Sequence, residues 1–380
     1  MRTPNGLSFI IYFLMKKIAS IFLIVSACGF FTHLRADEML ERNSIQQQAM
    51  DAFHNEDFSK LEELSIDYRK NISRTSSGVW KLTQFYMGID KALGTQCLQE
   101  GNMNYYAVQD VVSRWINAYP DSPAARIAYS MALIDHGWSF RGCGYSDTVS
   151  EDDRKSFDAY IDAAYQNLIT YKYMATIDPM WYQMMLTIAY AQGWDKDKFY
   201  QVYKEAVTKE PYYYQTYFTA AEYLMPKWYG DIKQIEELAQ DAVNRTKSQE
   251  GMGMYARIYW YVSSSSFETD LFTKSMANWS NMKSGFEDIL KRYPDTWNSN
   301  NYARFACMAE DRSKAKDLMS TIGNEPIEQA WQPISLFSKC QQWINKPYID
   351  IRLIILIGGL LLFGSVLLII SKRMKTETKE

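Results

Sequence analysis

Residues suited to metal binding or nucleophilic catalysis are scarce in this sequence. The 380-residue chain has three histidines and five cysteines, and none of them shows the close spacing of a zinc site. A glycine-rich phosphate loop and the serine turn of hydrolases are absent as well. We therefore predict no metal, no cofactor and no catalytic residue, and the sequence favours a protein that is not an enzyme.

The chain also lacks an excess of positive charge. Its 41 Lys and Arg residues are slightly outnumbered by 44 Asp and Glu residues, which gives a formal net charge of −3. A basic surface that would attract nucleic acid is therefore not implied, and we expect no nucleic-acid partner.

Alternating Val, Ile and Thr runs bounded by hairpin turns are nearly absent, which argues against a β-sheet fold.

Residues 353–370 form a long apolar segment without a charged side chain, and Lys372, Arg373 and Lys375 follow it. As a helix, this segment would be about 27 Å long, just enough to cross a bilayer. An excess of positive charge after such a segment is typical of the cytoplasmic side. The pattern predicts a transmembrane helix at 353–370 and a cytoplasmic tail at 371–380.

The N-terminal residues 1–36 have the layout of a secretory signal. A basic pair follows Met15, which we interpret as the true start, and an apolar stretch then leads to Ala36. Cleavage after Ala36 is the favoured interpretation, and lipidation of Cys28 and an uncleaved anchor are the alternatives. All three place residues 37–346 across the membrane. We expect a single-pass protein of the bacterial inner membrane with this domain in the periplasm.

Four cysteines fall between the apolar ends, namely Cys97, Cys143, Cys307 and Cys340. An even number in an oxidising compartment favours disulfides, and small buried side chains are the alternative. Sequence alone leaves the three pairings open. We take nearest-neighbour pairing, Cys97–Cys143 and Cys307–Cys340, as the working hypothesis.

Helical periodicity runs through the segment between the two ends. The clearest helix pair starts at Asp178-Pro179, is interrupted between Gly193 and Asp195, and ends at Pro211. Its register matches a 34-residue tetratricopeptide repeat. The signature positions hold Leu186, Tyr190, Tyr203 and Ala206. Because the turns recur at irregular intervals, the sequence predicts an all-α fold, an irregular tetratricopeptide-like α-solenoid followed by the C-terminal transmembrane helix.

The stretch from about residue 125 to residue 260 has a more specific pattern. Its ordered phrases include Trp138-Ser139-Phe140-Arg141-Gly142, Asp178-Pro179-Met180-Trp181, Ala191-Gln192-Gly193-Trp194, Glu210-Pro211-Tyr212-Tyr213, Pro226-Lys227-Trp228-Tyr229-Gly230 and Tyr255-Ala256-Arg257. Together they resemble a bacterial family defined only as a domain of unknown function and built on a tetratricopeptide-like framework. The resemblance implies a helical-repeat architecture and carries over no catalytic residue.

A break in the helical pattern at Trp138–Gly144 is the first candidate ligand-binding site. Arg141 lies beside two glycines there, where it is placed to pair with a carboxylate or phosphate, and Trp138 lies one turn before it. The alternative is that Arg141 binds the exposed carbonyls of a helix end, with the glycines permitting a tight turn.

A second break, Lys227-Trp228-Tyr229, lies between a proline and a glycine. Such a loop is suited to present two aromatic rings and a cation as the rim of a binding site. The alternative is a corner between helices in which Trp228 fills the core.

Buried polar pairs are expected within the helices as well. Arg126 and Arg257 lie in apolar stretches, where structural ion pairs with acidic partners such as Asp135 or Glu222 are the favoured interpretation. Aromatic residues make up 15% of the chain. Their positions predict that most of them fill helix–helix interfaces, and an aromatic concave surface that grips a sugar or a peptide is the alternative.

These features predict a scaffold that binds an unidentified envelope protein or peptide in a concave groove, because helical-repeat proteins present such surfaces. The alternative is an envelope glycan binder or a carboxylate-dependent carbohydrate hydrolase on a helical framework. Hydrolysis of this kind needs two facing carboxyl groups and few other side chains, so composition leaves it open.

Overall fold

The protein is built from α-helices. The computed structural model describes residues 38–94, 104–142, 149–347 and 364–366. Within these ranges it has seventeen α-helices between Glu38 and Asn345 and no β-strand, apart from one isolated bridge between Arg74 and Trp80. This all-α architecture is consistent with the predicted helical solenoid.

The helices are numbered in chain order. The first nine are α1 (Glu38–His54), α2 (Phe58–Asn71), α3 (Lys81–Leu93), α4 (Tyr105–Ala118), α5 (Pro123–Arg141), α6 (Glu151–Thr170), α7 (Lys172–Ala175), α8 (Met180–Gln192) and α9 (Lys196–Lys209). The other eight are α10 (Tyr214–Tyr223), α11 (Ile232–Glu250), α12 (Gly253–Val262), α13 (Leu271–Lys274), α14 (Trp279–Arg292), α15 (Thr296–Met308), α16 (Arg312–Ile322) and α17 (Ser335–Asn345). Short turns of π-helix at Ser263–Phe267 and of 3₁₀-helix at Glu268–Asp270 and Glu328–Ala330 lie between them.

Many of these helices begin where the sequence supplies a capping side chain. An Asp, Asn or Ser at the N-cap accepts a hydrogen bond from a backbone N–H in the first turn, which has no partner within the helix. Such caps are Asp57, Asn104, Ser122, Ser150, Asp195, Asp231, Asn278, Asp295 and Asp311. In the pair identified from the sequence, α8 ends at Gly193 in the left-handed conformation and α9 begins after Asp195.

The helices form an inner and an outer layer. The inner helices α3, α5, α8, α10 and α12 pack side by side in that order, and α6, α9 and α11 lie against them. The apolar faces of both layers meet in one continuous core, in which aromatic side chains such as Trp115, Trp181 and Tyr217 are fully buried. Each layer thus covers the apolar face of the other, as expected for stacked helix pairs.

The connection between α2 and α3, residues 72–80, reaches across the array, and we call it the clasp segment. The carbonyl oxygen of Ser77 accepts hydrogen bonds from Arg257 Nη2 of α12 at 2.8 Å and from Asn298 Nδ2 of α15 at 3.2 Å. Arg74 Nη2 donates to the carbonyl oxygen of Tyr212 at 3.0 Å. Because α1 also packs against α15, the array closes on itself.

A buried carboxylate, Glu38 of α1, holds the clasp segment in place. Its oxygens accept hydrogen bonds from the hydroxyl groups of Thr75 and Ser77 at 2.8 and 2.6 Å and from the Ser77 N–H at 2.8 Å. Burial raises the pKa of Glu38, but the charge of Arg42 and these hydrogen bonds outweigh burial and hold the pKa below its ordinary value. Glu38 is therefore ionised at neutral pH.

A disulfide joins the end of the array to its body. Cys307 of α15 and Cys340 of α17 are bonded, with their Cα atoms 5.8 Å apart. This is one of the two pairs named in the working hypothesis. Cys97 and Cys143, the other pair, lie outside the described residues.

The predicted transmembrane helix and the single-pass localisation require correction. Among the described residues, no helix combines the length and the apolar surface needed to cross a membrane. Of the predicted span 353–370, the structure describes only residues 364–366, and the rest lies outside the described residues. The fold class is therefore an all-α helical array without an assigned membrane span. The inner-membrane localisation and the periplasmic placement are withdrawn with that span.

No described helix can cross a membrane because even the longest of them carry charged side chains. The longest of those described, α5, α6 and α11, have 19, 20 and 19 residues, enough in length alone to approach a membrane span. Each carries several charged side chains, such as Arg126 and Asp135 in α5, which hydrocarbon does not solvate. The predicted signal at 1–36 and the tail at 371–380 lie outside the described residues.

Gly78 offers a test of how firmly the clasp segment is held. Its backbone has a φ of 93°, and an added Cβ would lie 2.6 Å from ring atoms of Tyr293. We expect Gly78→Ala to lower the free energy of unfolding by about 1 kcal/mol for the left-handed backbone and by a further ~1–3 kcal/mol for overpacking. Urea unfolding of the variant measures the sum.

Gly323 is the matched control for this variant. Its φ of 71° is also positive, and no described residue lies within 4 Å of an added Cβ. Gly323→Ala should therefore lose stability through its positive-φ backbone and not through overpacking. A loss in Gly78→Ala no larger than about 1 kcal/mol, the cost of the backbone alone, would mean that Tyr293 does not confine the clasp segment.

Candidate ligand-binding cavity

The inner layer forms a cavity of about 590 Å³ that is partly open to solvent. It lies between α3, α5, α8 and α10, and it is completed by Trp228 from the loop after α10 and by Tyr261 of α12. This volume is within the range of cavities that hold small ligands or a short piece of peptide.

The lining residues recur at helical spacing along each inner helix. They follow one another at intervals of three or four, for example Thr83, Tyr86, Met87 and Asp90 on α3 and Met131, Ile134, Asp135 and Trp138 on α5. One face of each inner helix therefore points into the cavity. Met, Thr and Gln side chains occupy many of these positions, with three carboxyl groups among them, those of Asp90, Asp135 and Glu222.

Side chains from the two segments that the sequence singled out meet at one end of this cavity. Trp138 and Arg141 lie in the last turn of α5, so the predicted break at Trp138 is wrong and the helix ends only at Gly142. Trp138 and Trp228 both line it, and the ring of Tyr190 lies between them, 6.2 Å from the first and 5.4 Å from the second. The guanidinium carbon of Arg141 lies 4.9 Å from the Trp138 ring centroid and 5.8 Å from that of Trp228. We call these four side chains the rim cluster.

Glu222 fixes the second break to the array. Its Oε1 accepts from Trp228 Nε1 at 3.0 Å and pairs with Lys227 Nζ at 2.7 Å. Its Oε2 accepts from the hydroxyl groups of Tyr261 and Ser265 at 3.1 and 2.5 Å. Burial raises the pKa of Glu222, but the hydrogen bonds from Lys227 and Ser265 outweigh it, so the pKa is below its ordinary value.

The remaining two predicted site residues do not line the cavity. Lys227 is exposed, and its ammonium group forms a salt bridge with Glu222. The ring of Tyr229 packs 5.2 Å from that of Tyr223, and its hydroxyl lies against Gly193, where an added Cβ would be 2.9 Å away. Tyr229 therefore joins the loop to the α8–α9 turn, which is a structural role. Trp228 is half-buried and combines both of the alternatives weighed for it.

Asp90 and Asp135 form a pair on the wall made by α3 and α5. Burial raises the pKa of Asp90 to about 6, although the charge of Lys91 opposes this shift. Burial and the neighbouring charge of Asp90 raise the pKa of Asp135 well above its ordinary value. Asp135 is 8% exposed, and its Oδ2 accepts no hydrogen bond from the residues described.

The acidic partners expected for Arg126 and Arg257 are not the ones found. The guanidinium carbon of Arg126 lies 3.7 Å from the ring centroid of Tyr171, and Arg257 donates to the carbonyl oxygen of Ser77. An aromatic face and a backbone oxygen thus take the place of carboxylates. Asp135 is left facing the cavity instead.

Sequence reasoning missed Tyr190 and Tyr261 as cavity residues and did not assign Asp90 to any site. A signal was present, because α3 and α5 each place a carboxyl among apolar residues on one helical face. Reading it as a site requires knowing that these two faces are neighbours, which local periodicity does not reveal.

A metal-binding role for the cavity has no support in the described ranges. They hold no cluster of three or more His, Cys, Asp or Glu side chains arranged to bind an ion. The two carboxyl groups of Asp90 and Asp135 alone provide fewer ligands than calcium or zinc sites use.

Comparisons of the chain with protein-family models, with curated proteins and with solved structures found no match. The resemblance of residues 125–260 to a tetratricopeptide-like family therefore stays a prediction. The class defined by the structure is an all-α array of helix pairs with a partly open cavity that contains an acidic pair.

Asp135 also generates a prediction about stability and pH. Unfolded aspartates titrate near pH 4, whereas Asp90 titrates near 6 and Asp135 above its ordinary value in the fold. Above pH 4 these two groups thus bind more protons in the folded chain than in the unfolded chain, so they make the free energy of unfolding fall as pH rises. We expect Asp135→Asn to remove part of this fall and to stabilise the protein at pH 7 by at least about 1 kcal/mol.

Urea unfolding at pH 4 and pH 7 measures this effect. The control is Asp158→Asn, which alters an exposed aspartate on α6 and should leave the pH dependence of the wild type unchanged. If Asp135→Asn changes stability equally at both pH values, the carboxyl group of Asp135 does not carry a burial penalty in the folded state.

Proposed function

We propose that the protein is a non-enzymatic binding scaffold that holds a segment of a partner peptide in the cavity of its inner layer. The observation that carries this proposal is the cavity of about 590 Å³, which four neighbouring helices line with one face each. A site preformed by helices needs little reorganisation to bind, and this lowers the entropic cost of association.

The lining chemistry favours a peptide as the occupant. Four methionines, Met87, Met131, Met180 and Met184, contribute flexible and polarisable side chains to the cavity wall. Such side chains adapt to varied apolar groups and are frequent on peptide-binding surfaces. Thr83, Gln183, Thr187, Gln215 and Thr219 place hydrogen-bonding groups among them. This mixture suits a segment with both side chains and backbone amides.

The rim cluster is less suited to the alternative of a glycan ligand. Sugar rings bind by stacking on open aromatic faces, but the guanidinium group of Arg141 lies over the rings of both Trp138 and Trp228. Carbohydrate hydrolysis would also need two free carboxyl groups that face each other. Four donors bind the oxygens of Glu222. The carboxyl groups of the cavity lining that remain available are those of Asp90 and Asp135, and both lie on the same wall.

Blocking the cavity tests the proposal. Thr187 of α8 lines the cavity and is half-buried, so Thr187→Trp would place an indole ring in the space for the ligand. Peptides selected from a random library on the full-length wild type should bind this variant at least about tenfold more weakly, a loss of ~1.4 kcal/mol. Fluorescence polarisation of labelled peptides gives the affinities, and circular dichroism checks the helical fold.

Asn244→Trp is the matched control, because Asn244 is exposed on α11 in the outer layer. This variant adds the same ring and should keep the affinity of the wild type. Selected peptides that bind Thr187→Trp as tightly as the wild type would place binding elsewhere. A glycan array in which sugars bind the wild type and lose binding in Thr187→Trp would favour the glycan alternative.

A further inference from the structure

Among the described residues, no lysine or arginine forms a salt bridge with Asp90 or Asp135, although the charge of Lys91 acts on Asp90. Asp178 and Glu222, two other buried or partly buried carboxylates of the inner layer, pair with Arg69 Nη1 at 3.3 Å and with Lys227 Nζ at 2.7 Å. The hydroxyl group of Tyr86 also donates to Asp178 at 2.8 Å. Asp135 differs, since its Oδ2 is buried and accepts no hydrogen bond within the ranges described.

We propose that Asp90 and Asp135 recognise the cationic side chain of a lysine or arginine in the bound peptide. This inference rests on the proposed function and names the chemistry that the cavity selects. The carboxyl group of Asp135 is more than nine-tenths buried, and it belongs to the cavity lining. A buried acceptor without a partner at a cavity wall is a position that a ligand donor fills favourably.

The surroundings of the pair favour an organic cation. Met131 and Trp138 lie one turn before and one turn after Asp135 on the same face, and Met87 lies one turn before Asp90. These apolar groups suit the methylene chain of a lysine or arginine, while the carboxyl groups bind its charged end. A metal ion would need more ligands, and the described residues offer no cluster of three.

The other charged and titratable groups near Asp90 and Asp135 do not neutralise the negative charge of these two carboxyl groups. Lys91 of α3 opposes the rise in the pKa of Asp90, Tyr105 of α4 lies within the field of Asp135, and so does Tyr190 of α8. Tyrosines are neutral at pH 7. Burial raises the pKa of both carboxyl groups, and a ligand cation that pairs with them favours their ionised forms and so the release of a proton.

Matched peptide pools test the inference. Labelled nine-residue pools with random flanks carry a fixed central residue, which is lysine, norleucine or glutamate. The full-length wild type should bind the lysine pool at least about tenfold more tightly than the norleucine pool, because a hydrogen bond between charged groups replaces an apolar contact. The glutamate pool should bind most weakly.

Two variants then locate the source of this preference. Asp135→Asn keeps the shape of the side chain and removes its charge, and it should bring the ratio of the two affinities to within about twofold. Asp90→Asn should reduce the ratio as well. Asp158→Asn, which alters an exposed aspartate, should leave the ratio unchanged. Calorimetry in buffers of different ionisation enthalpy should detect release of a proton when the lysine pool binds the wild type.

The outcomes separate the two proposals. If the lysine and norleucine pools bind equally and Thr187→Trp weakens both, the cavity binds peptides but the acidic pair does not select a cation. A lysine preference that survives in both Asp135→Asn and Asp90→Asn overturns the inference in the same way. If no pool binds the wild type, the proposed function fails and the inference fails with it.

Discussion

The carbonyl oxygen of Ser77 is the contact on which the shape of this molecule depends. Helix pairs that contact only their sequence neighbours form an open superhelix with a continuous groove. Here Arg257 and Asn298, from helices near the other end of the array, donate to one backbone oxygen. The buried carboxylate of Glu38 fixes the same turn from the other side. The array is thereby closed, and its inner helices line the cavity.

The carboxyl groups of the inner layer show how burial separates structural from available acids. Glu222 has two donors on each oxygen, so its charge is stabilised and it holds the loop of Trp228 in place. Asp178 is fully buried and is bound by Arg69, by the Tyr86 hydroxyl and by a backbone N–H of α8. Asp135 is almost as deeply buried, but no donor among the described residues binds its Oδ2. The difference lies in the partners and not in the depth of burial.

Sequence could predict the parts of the fold that local chemistry decides. The α8–α9 pair follows from Asp178, Gly193 and Asp195, because caps and stops act within a turn of the helix. The sequence also singled out Trp138, Arg141 and Trp228, although the first two lie in the last turn of α5. The meeting of these side chains around Tyr190 was not predicted. Contacts between residues far apart in sequence leave no periodic trace, and Arg257 shows this clearly because its partner is a backbone carbonyl. The predicted span 353–370 lies outside the described residues apart from 364–366, and no described helix has the length and the apolar surface to cross a membrane.

The position of Asp135 is the strongest argument that the cavity has a use. The same face of α5 carries Met131, Ile134 and Trp138, and an apolar side chain between them would avoid the penalty of burying a carboxyl group. Two processes can relieve that penalty in the folded protein. Protonation removes the charge, and burial raises the pKa of Asp135 for that reason, whereas a bound cation pairs with the charge and donates a hydrogen bond to Oδ2. Protonation and cation binding involve the same carboxyl group, so they compete. The binding free energy of the cation must therefore exceed the free energy needed to release the proton.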